Sequence, residues 1–400
     1  MQMQSADNSS KPISAVSSIK PALVSGTISA SLACTGAAVL ILTTASGAGF
    51  SRGELIAWFF AAYVFGGLLN LLLSVFYRLP FGGVHSIAVV TYMSTVINRF
   101  TLSELTGGYL MAGLIIFLLG WSGWFGKLLT HLPKPLLDAM LAGLMLHYVI
   151  NMFSAVRDSP LVSMMSMIGF LLAYRFRTHV PPLLGAIVFG GLALGFGTPL
   201  PALSLPDFIA PSLFLPSFTL QGVISISIPV AILILSNDVA VGLAALQKQG
   251  YRPPMDRTLL MTGIATTAAS FFGAHSANIG GMMTVICSSD EAGPHDRRYL
   301  AGVVSAVWVI LFGLAAWLVV PFIKILPAPF ITLITGFSLI GILTGCLRSA
   351  SRASGYRFSV IVCFLIAAFP FTILDIASPV WALLIGVLTA KLLGEGDKGT

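Results

Sequence analysis

Charged side chains occupy 9% of the 400 positions and hydrophobic ones 56%, against roughly 25% and about 45–50% in a soluble domain. Too little polar surface is left for a soluble fold, and the chain reads as an all-α polytopic membrane protein. The net charge of +7 is scattered singly or in pairs at the ends of apolar segments, which argues against a nucleic-acid surface and for topology signals.

Residues 1–19 are polar and Ser-rich, as in a cytoplasmic tail, and lack the layout of a cleavable signal. Runs such as Ala22 to Thr44 and Val303 to Phe322 reach the roughly 20 apolar residues that a membrane-crossing helix needs. They do not alternate, which excludes a β-barrel. The pattern predicts fourteen membrane segments. The first seven are Pro21 to Ala45, Glu54 to Tyr77, a broken third segment Pro80 to Asn98, Ser103 to Phe125, Lys134 to Val156, Pro160 to Tyr174 and Val180 to Phe196. A connector over residues 198–217, with Pro199, Pro201, Pro206, Pro211 and Pro216, separates them from the rest. Then come Phe218 to Leu246, Asp256 to Ser270, a broken tenth segment Phe272 to Ser288, Tyr299 to Ile325, Pro329 to Leu347, Tyr356 to Ile373 and Pro379 to Leu393. Residues 20–197 and 218–394 form the two halves, and 395–400 a short tail.

With the N-terminus inside, only Arg52, Arg99, Arg157 and Lys324 of the 21 basic residues fall outside, as the positive-inside rule requires. Both termini are then cytoplasmic. Seven segments per half is an odd number, so the second half enters the membrane inverted. Two sequence words support a repeat: Phe81-Gly82-Gly83-Val84-His85-Ser86 returns as Phe272-Gly273-Ala274-His275-Ser276-Ala277-Asn278, its histidine 190 positions later. Similarly Leu132-Pro133-Lys134-Pro135 returns as Leu326-Pro327-Ala328-Pro329, 194 positions later. Paired interrupted segments of this kind mark the site of a secondary transporter.

After their glycines, Ser86 to Ile97 and Ser276 to Cys287 span 12 residues each, about 18 Å of helix, too short to cross alone. The chain before them must run extended, which is tolerated at membrane depth only inside protein or along a cavity. Two half-helix starts facing one another would present unpaired N–H groups and partial positive charge, an anion site. The expected substrate contacts are His85, Ser86, Ile87, His275, Ser276, Ala277 and Asn278, with Asn237 of segment eight. The competing reading makes the serines plain helix caps and the histidines packing groups.

Asp238 lies mid-segment in Leu235-Ser236-Asn237-Asp238-Val239, and an acid there marks an ion or substrate path. It is the expected carrier of a coupled proton. His147, central in segment five, is a second candidate for proton relay or substrate bonding, with an ordinary interhelical bond as its alternative. Asp138 can pair with Lys134 one helical turn away. Asp290, Glu291, His295, Asp296, Arg297 and Arg298 read as a solvated loop or gate contact. Cys34, Cys287, Cys346 and Cys363 lie in apolar segments without metal or disulfide spacing. No P-loop, G-x-S-x-G or H-E-x-x-H occurs, so no enzyme is indicated. No metal or cofactor is expected, and a proton gradient is the energy source.

Tyr77-Arg78-Leu79-Pro80, Ala139-Met140-Leu141-Ala142-Gly143 after Leu132-Pro133, Gly242-Leu243-Ala244-Ala245 with Gly250-Tyr251, and Arg297-Arg298-Tyr299-Leu300-Ala301 resemble the benzoate:proton symporter (BenE-like) family, from about Pro21 to Leu393. The resemblance implies the seven-plus-seven inverted-repeat fold shared with uracil, bicarbonate and sulfate transporters. It implies a core of segments one to four and eight to eleven and a gate of five to seven and twelve to fourteen. The function expected is import of a small organic anion, a benzoate-like aromatic carboxylate, with a proton across a bacterial inner membrane. A passive channel or uniporter, or a carrier of another small anion or a nucleobase, is the alternative. The partners are the anion, the proton and lipid, without nucleic acid; a homodimer is compatible with the sequence, which fixes no oligomeric state.

Overall fold

Helix starts in this chain are written by capping residues and prolines. Ser51 and Thr101 each meet a glutamate three residues later, Glu54 and Glu104, and both build reciprocal capping boxes. Prolines stand in the first turn of five other long helices, where a missing N–H costs nothing. The computed structural model describes residues 19–125, 133–176, 181–197, 205–353, 355–373 and 376–396. Most of the polar tail, Lys127, Leu132, Arg177 and the connector's Pro199 and Pro201 lie outside them.

The helices are α1 Lys20–Gly47, α2 Arg52–Tyr77, α3 Ile87–Val96, α4 Leu102–Ser122, α5 Lys134–Asp158, α6 Pro160–Arg175 and α7 Pro182–Gly197, then α8 Leu220–Lys248, α9 Met255–Ser270 and α10 Gly281–Ser288. They continue as α11 Tyr299–Leu314, α12 Ala316–Ile325, α13 Ala328–Arg352, α14 Phe358–Ala368 and α15 Ser378–Leu392. Among the described residues seven helical stretches are long and apolar enough to cross a membrane. The protein is a mostly helical, multi-pass membrane protein.

Away from the two breaks, two expected segments differ from what the sequence suggested. Tyr299 to Ile325 is two helices that break at Ala315, and Pro321, which cannot donate to a preceding carbonyl, sits in the short second piece. Tyr356 to Ile373 ends its helix at Ala368; Thr372–Ile373 (β1) then pairs antiparallel with Ile376–Ala377 (β2). The four cysteines are all free.

The most extensive packing falls into two groups. In one, α4 lies on α9, α2 on α11, and α1 on α11 and α10; in the other, α5 lies on α13 and α14, α6 on α7, and α14 on α15. Asp138 ties two helices of the second group, accepting from Lys134 at 2.9 Å and from the Ser349 hydroxyl at 2.5 Å. The 289–298 loop is folded back rather than simply solvated: buried Arg298 donates to Asp290 (2.6 Å), Gly293 O (2.8 Å) and Ser288 O (2.9 Å), and Tyr251 stacks on His295.

Between α2 and α3, and between α9 and α10, the chain runs extended through the middle of the first group. The two extended stretches pair antiparallel: Asn278 N donates to Val84 O at 3.1 Å and Gly280 N to Gly82 O at 2.8 Å. At Gly83 the backbones are so close that a Cβ would lie 2.2 Å from Gly280 N and 2.6 Å from Asn278 O. Gly83→Ala should therefore break this crossing and cost about 1–3 kcal/mol or more, read as a lower melting temperature in detergent. Gly191→Ala, whose Cβ would meet nothing within 4 Å, should melt as the parent does; equal melting of the two variants would contradict the crossing.

Candidate functional site

Ser86 is the point on which the crossing turns. It caps α3, its Oγ accepting from Val89 N at 3.2 Å. Its own N–H donates to Ser276 Oγ at 2.9 Å, and its carbonyl accepts from His275 Nε2 at 3.3 Å. The hydroxyl proton is left for the Asp238 carboxyl, which it contacts. Every polar group of Ser86 is thus committed, three of them to residues of the other half of the chain.

The second break is not a copy of the first. Sequence symmetry suggested a half-helix from Ser276, but α10 starts at Gly281, and its N-cap is Gly280 with no side-chain bond. The residues between are held extended. Asn278 and Gly280 give their N–H groups to the first break, and Ala277 exchanges two bonds with the Thr266 hydroxyl, at 3.2 and 3.0 Å. A helix would need the same groups. Ser276 is therefore a partner of Ser86 rather than a cap, and only α3 opens with a serine at the crossing.

The two histidines also differ. His275 is buried and bonded on both sides: Trp58 Nε1 donates to its Nδ1 at 2.9 Å, so Nε2 carries the proton given to Ser86 O. His85 is buried beside it, ring centroids 5.0 Å apart, yet neither of its nitrogens makes a hydrogen bond, the nearby Ser86 backbone lying outside bonding geometry. Tyr63 presses edge-on to His85 at 5.3 Å and spends its hydroxyl on Ala33 O. Tyr109 faces His275 at 6.4 Å with its hydroxyl unpartnered.

Asp238 is buried, and its Oδ2 has no partner. It sits in a π-helical turn, Ile234–Val239, of the kind often found where a helix bends for a functional group. Two further π turns, Ala33–Ala37 in α1 and Val223–Ser227 in α8, loosen the helices flanking the crossing. Asn237, on the same turn as Asp238, is half-buried, and Ile87 opens α3. Asn278 keeps its Oδ1 unpartnered while its carbonyl accepts from Asn70 at 3.2 Å.

The crossing thus gathers His85, Ser86, His275, Ser276, Asn278 and Asp238 into one buried cluster. His147 is elsewhere: it is exposed, bonded to Asn151 at 2.9 Å, and lines a separate cavity. Sequence reasoning missed Trp58, Tyr63, Tyr109 and Thr266. Trp58 meets a partner 217 residues away, so no local spacing announces it; a lone buried donor is the only trace.

Such buried groups answer differently to removal. Trp58→Phe leaves His275 Nδ1 unpaired and should cost about 1–3 kcal/mol, whereas His85→Phe removes nitrogens that bond nothing and should cost less. Thermal melts of the two purified variants check this, and the reverse order would make His85 the brace.

A profile of the benzoate membrane transport protein family matches residues 17–392. The inner membrane protein YdcO of Escherichia coli K12 is 27% identical over 368 residues, covering 92% of this chain and 94% of its own. The benzoate membrane transport protein of Acinetobacter baylyi is 23% identical over 379 residues, covering 93% and 95%. Among solved structures, the transmembrane domain of the cyanobacterial bicarbonate transporter BicA superposes with a TM-score of 0.63 at 16% identity over 93% of this chain and 97% of that one. SLC26A9 gives 0.63 at 14% identity over 94% and 65%. These likenesses place the fold among membrane transporters rather than enzymes, and the sequence match places the chain within that class: it belongs to the benzoate membrane transport protein family, BenE.

Proposed function

We propose that the protein imports a benzoate-like aromatic carboxylate together with a proton, by alternating access across a bacterial inner membrane. The observation that carries this reading is the pairing, at one serine-capped helix start, of an acid with a free oxygen, Asp238 Oδ2, and a histidine with two free nitrogens, His85. A carboxylate brought to the α3 N-terminus gains the helix's partial positive charge but meets Asp238. Two carboxylates share such a space only with a proton between them, so anion and proton bind together. Rings of Trp58, Tyr63, Tyr109 and His275 around the cluster suit an aromatic ligand face. No cofactor is needed, since the proton gradient supplies the energy.

The same reading takes the chain as fourteen segments in two inverted halves, 20–197 and 218–394, with both termini cytoplasmic. The recurrence of a π turn at Ala33–Ala37 and at Val223–Ser227, 190 positions apart as the two histidines are, supports it. So does the mirrored packing of α4 on α9 and α11 on α2. His147, remote from the cluster, has no part in this proton step.

Radiolabelled benzoate uptake into proteoliposomes tests the proposal. An acid exterior should drive accumulation by the parent, and Asp238→Asn should lose about a hundredfold or more of that gradient-driven uptake, the usual scale for loss of a proton-transfer group. Accumulation by Asp238→Asn equal to the parent's would remove Asp238 from the mechanism, and parent flux indifferent to the gradient would favour a passive uniporter.

A further inference from the structure

The two groups of helices touch at the π turn Ala33–Ala37 of α1, which packs against α13 and α7 of the second group. Gly36 makes that contact close: a Cβ there would overlap Ser338 Cβ of α13 and lie 2.9 Å from Leu183 Cδ2 of α7. With no slack at this glycine, a slide of one group past the other must move the turn.

The same turn reaches the site. Three residues before Gly36, the Ala33 carbonyl accepts from the Tyr63 hydroxyl at 2.6 Å, and the Tyr63 ring meets His85 edge-on at 5.3 Å. Tyr63 is fully buried, so its ring follows the carbonyl that holds it. His85 bonds nothing through its nitrogens, which leaves its orientation to the rings beside it, Tyr63 and His275.

The second π turn repeats the arrangement. Val223–Ser227 of α8 packs against β2, itself beside α15 in the second group, and the Ser225 carbonyl accepts from the hydroxyl of Tyr92 on α3, again at 2.6 Å. Each turn thus joins the second group to one partner of the site, His85 or the serine-capped helix. A π turn closes i→i+5 bonds where an α turn closes i→i+4. A helix holding one has two discrete bonding patterns, as a relay between two states requires.

We propose that the two π turns transmit the relative position of the helix groups to the crossing, with Gly36 as the bearing and Tyr63 as the residue that positions His85. Tyr92 does the same for α3. The inference deepens the alternating-access reading and rests on it for its purpose, whereas the mechanical link itself needs no substrate. A ligand at His85 then biases the seam, and the seam biases the ligand's affinity by the same factor.

The test reads His85 by solid-state nitrogen NMR of the full-length protein, with isotopically labelled histidine, in liposomes without ligand. Its ring signals are assigned by their loss in His85→Phe. Gly36→Ala, which forces the seam apart, and Ser338→Gly, which slackens it without a clash, should each move the His85 signals. In a Tyr63→Phe background the ring stays but the hydroxyl tether is cut, and neither change should move them further. Gly36→Ala combined with Ser338→Gly, which carries the methyl group across the seam, should return them toward the parent position. Unchanged His85 signals in Ser338→Gly, or equal shifts with and without the Tyr63 hydroxyl, overturn the relay, and Ser338→Gly decides alone if Gly36→Ala does not fold. Benzoate uptake in the same liposomes separates the two readings: uptake with no Tyr63-dependent shift sinks the relay alone, and the shift with no uptake sinks benzoate transport alone.

Discussion

Everything at the centre of this protein follows from one requirement: backbone that leaves the helix inside a membrane must find partners within the protein. The chain leaves the helix twice, and each break supplies what the other lacks. Val84 and Gly82 accept from Asn278 and Gly280, and Ser86 takes Ser276 and His275. Gly83 is small enough to let the strands touch. Without the second break, the first would expose several unpaired groups at a cost of several kcal/mol each. The crossing is therefore a mutual arrangement between the two halves of the chain.

That arrangement also sorts the polar residues into those that hold and those that wait. His275 is locked by Trp58 on one nitrogen and Ser86 on the other, and Thr266 fixes Ala277. His85, Asp238 Oδ2, the Tyr109 hydroxyl and Asn278 Oδ1 are buried without partners. Buried polar atoms are rarely left so. A cluster of them around the start of a helix is where a ligand with its own donors and acceptors would settle the account.

Much of this was legible in the sequence. Composition gave the membrane class, and the paired Phe-Gly and His-Ser words located both breaks. Asp238, an acid alone in an apolar run, was found by its cost. Symmetry misled in one place: it implied two equal half-helices, whereas α10 starts five residues past Ser276 because the intervening N–H groups are taken across the crossing. The break at Ala315 and the hairpin after Ala368 were hidden inside unbroken apolar runs, since hydropathy records depth in lipid and not helix continuity. Trp58 and Tyr63 were invisible because their partners are distant in sequence, and His147, conspicuous in the sequence, lines a cavity away from the crossing.

The account stands on the sharing of one proton between Asp238 and an incoming carboxylate. Purified protein in weakly buffered detergent solution with a pH-indicator dye, mixed with benzoate, measures this sharing without membrane or gradient. The account predicts uptake of about one proton per bound benzoate, abolished in Asp238→Asn. Benzoate binding with no proton taken up by the parent would contradict it.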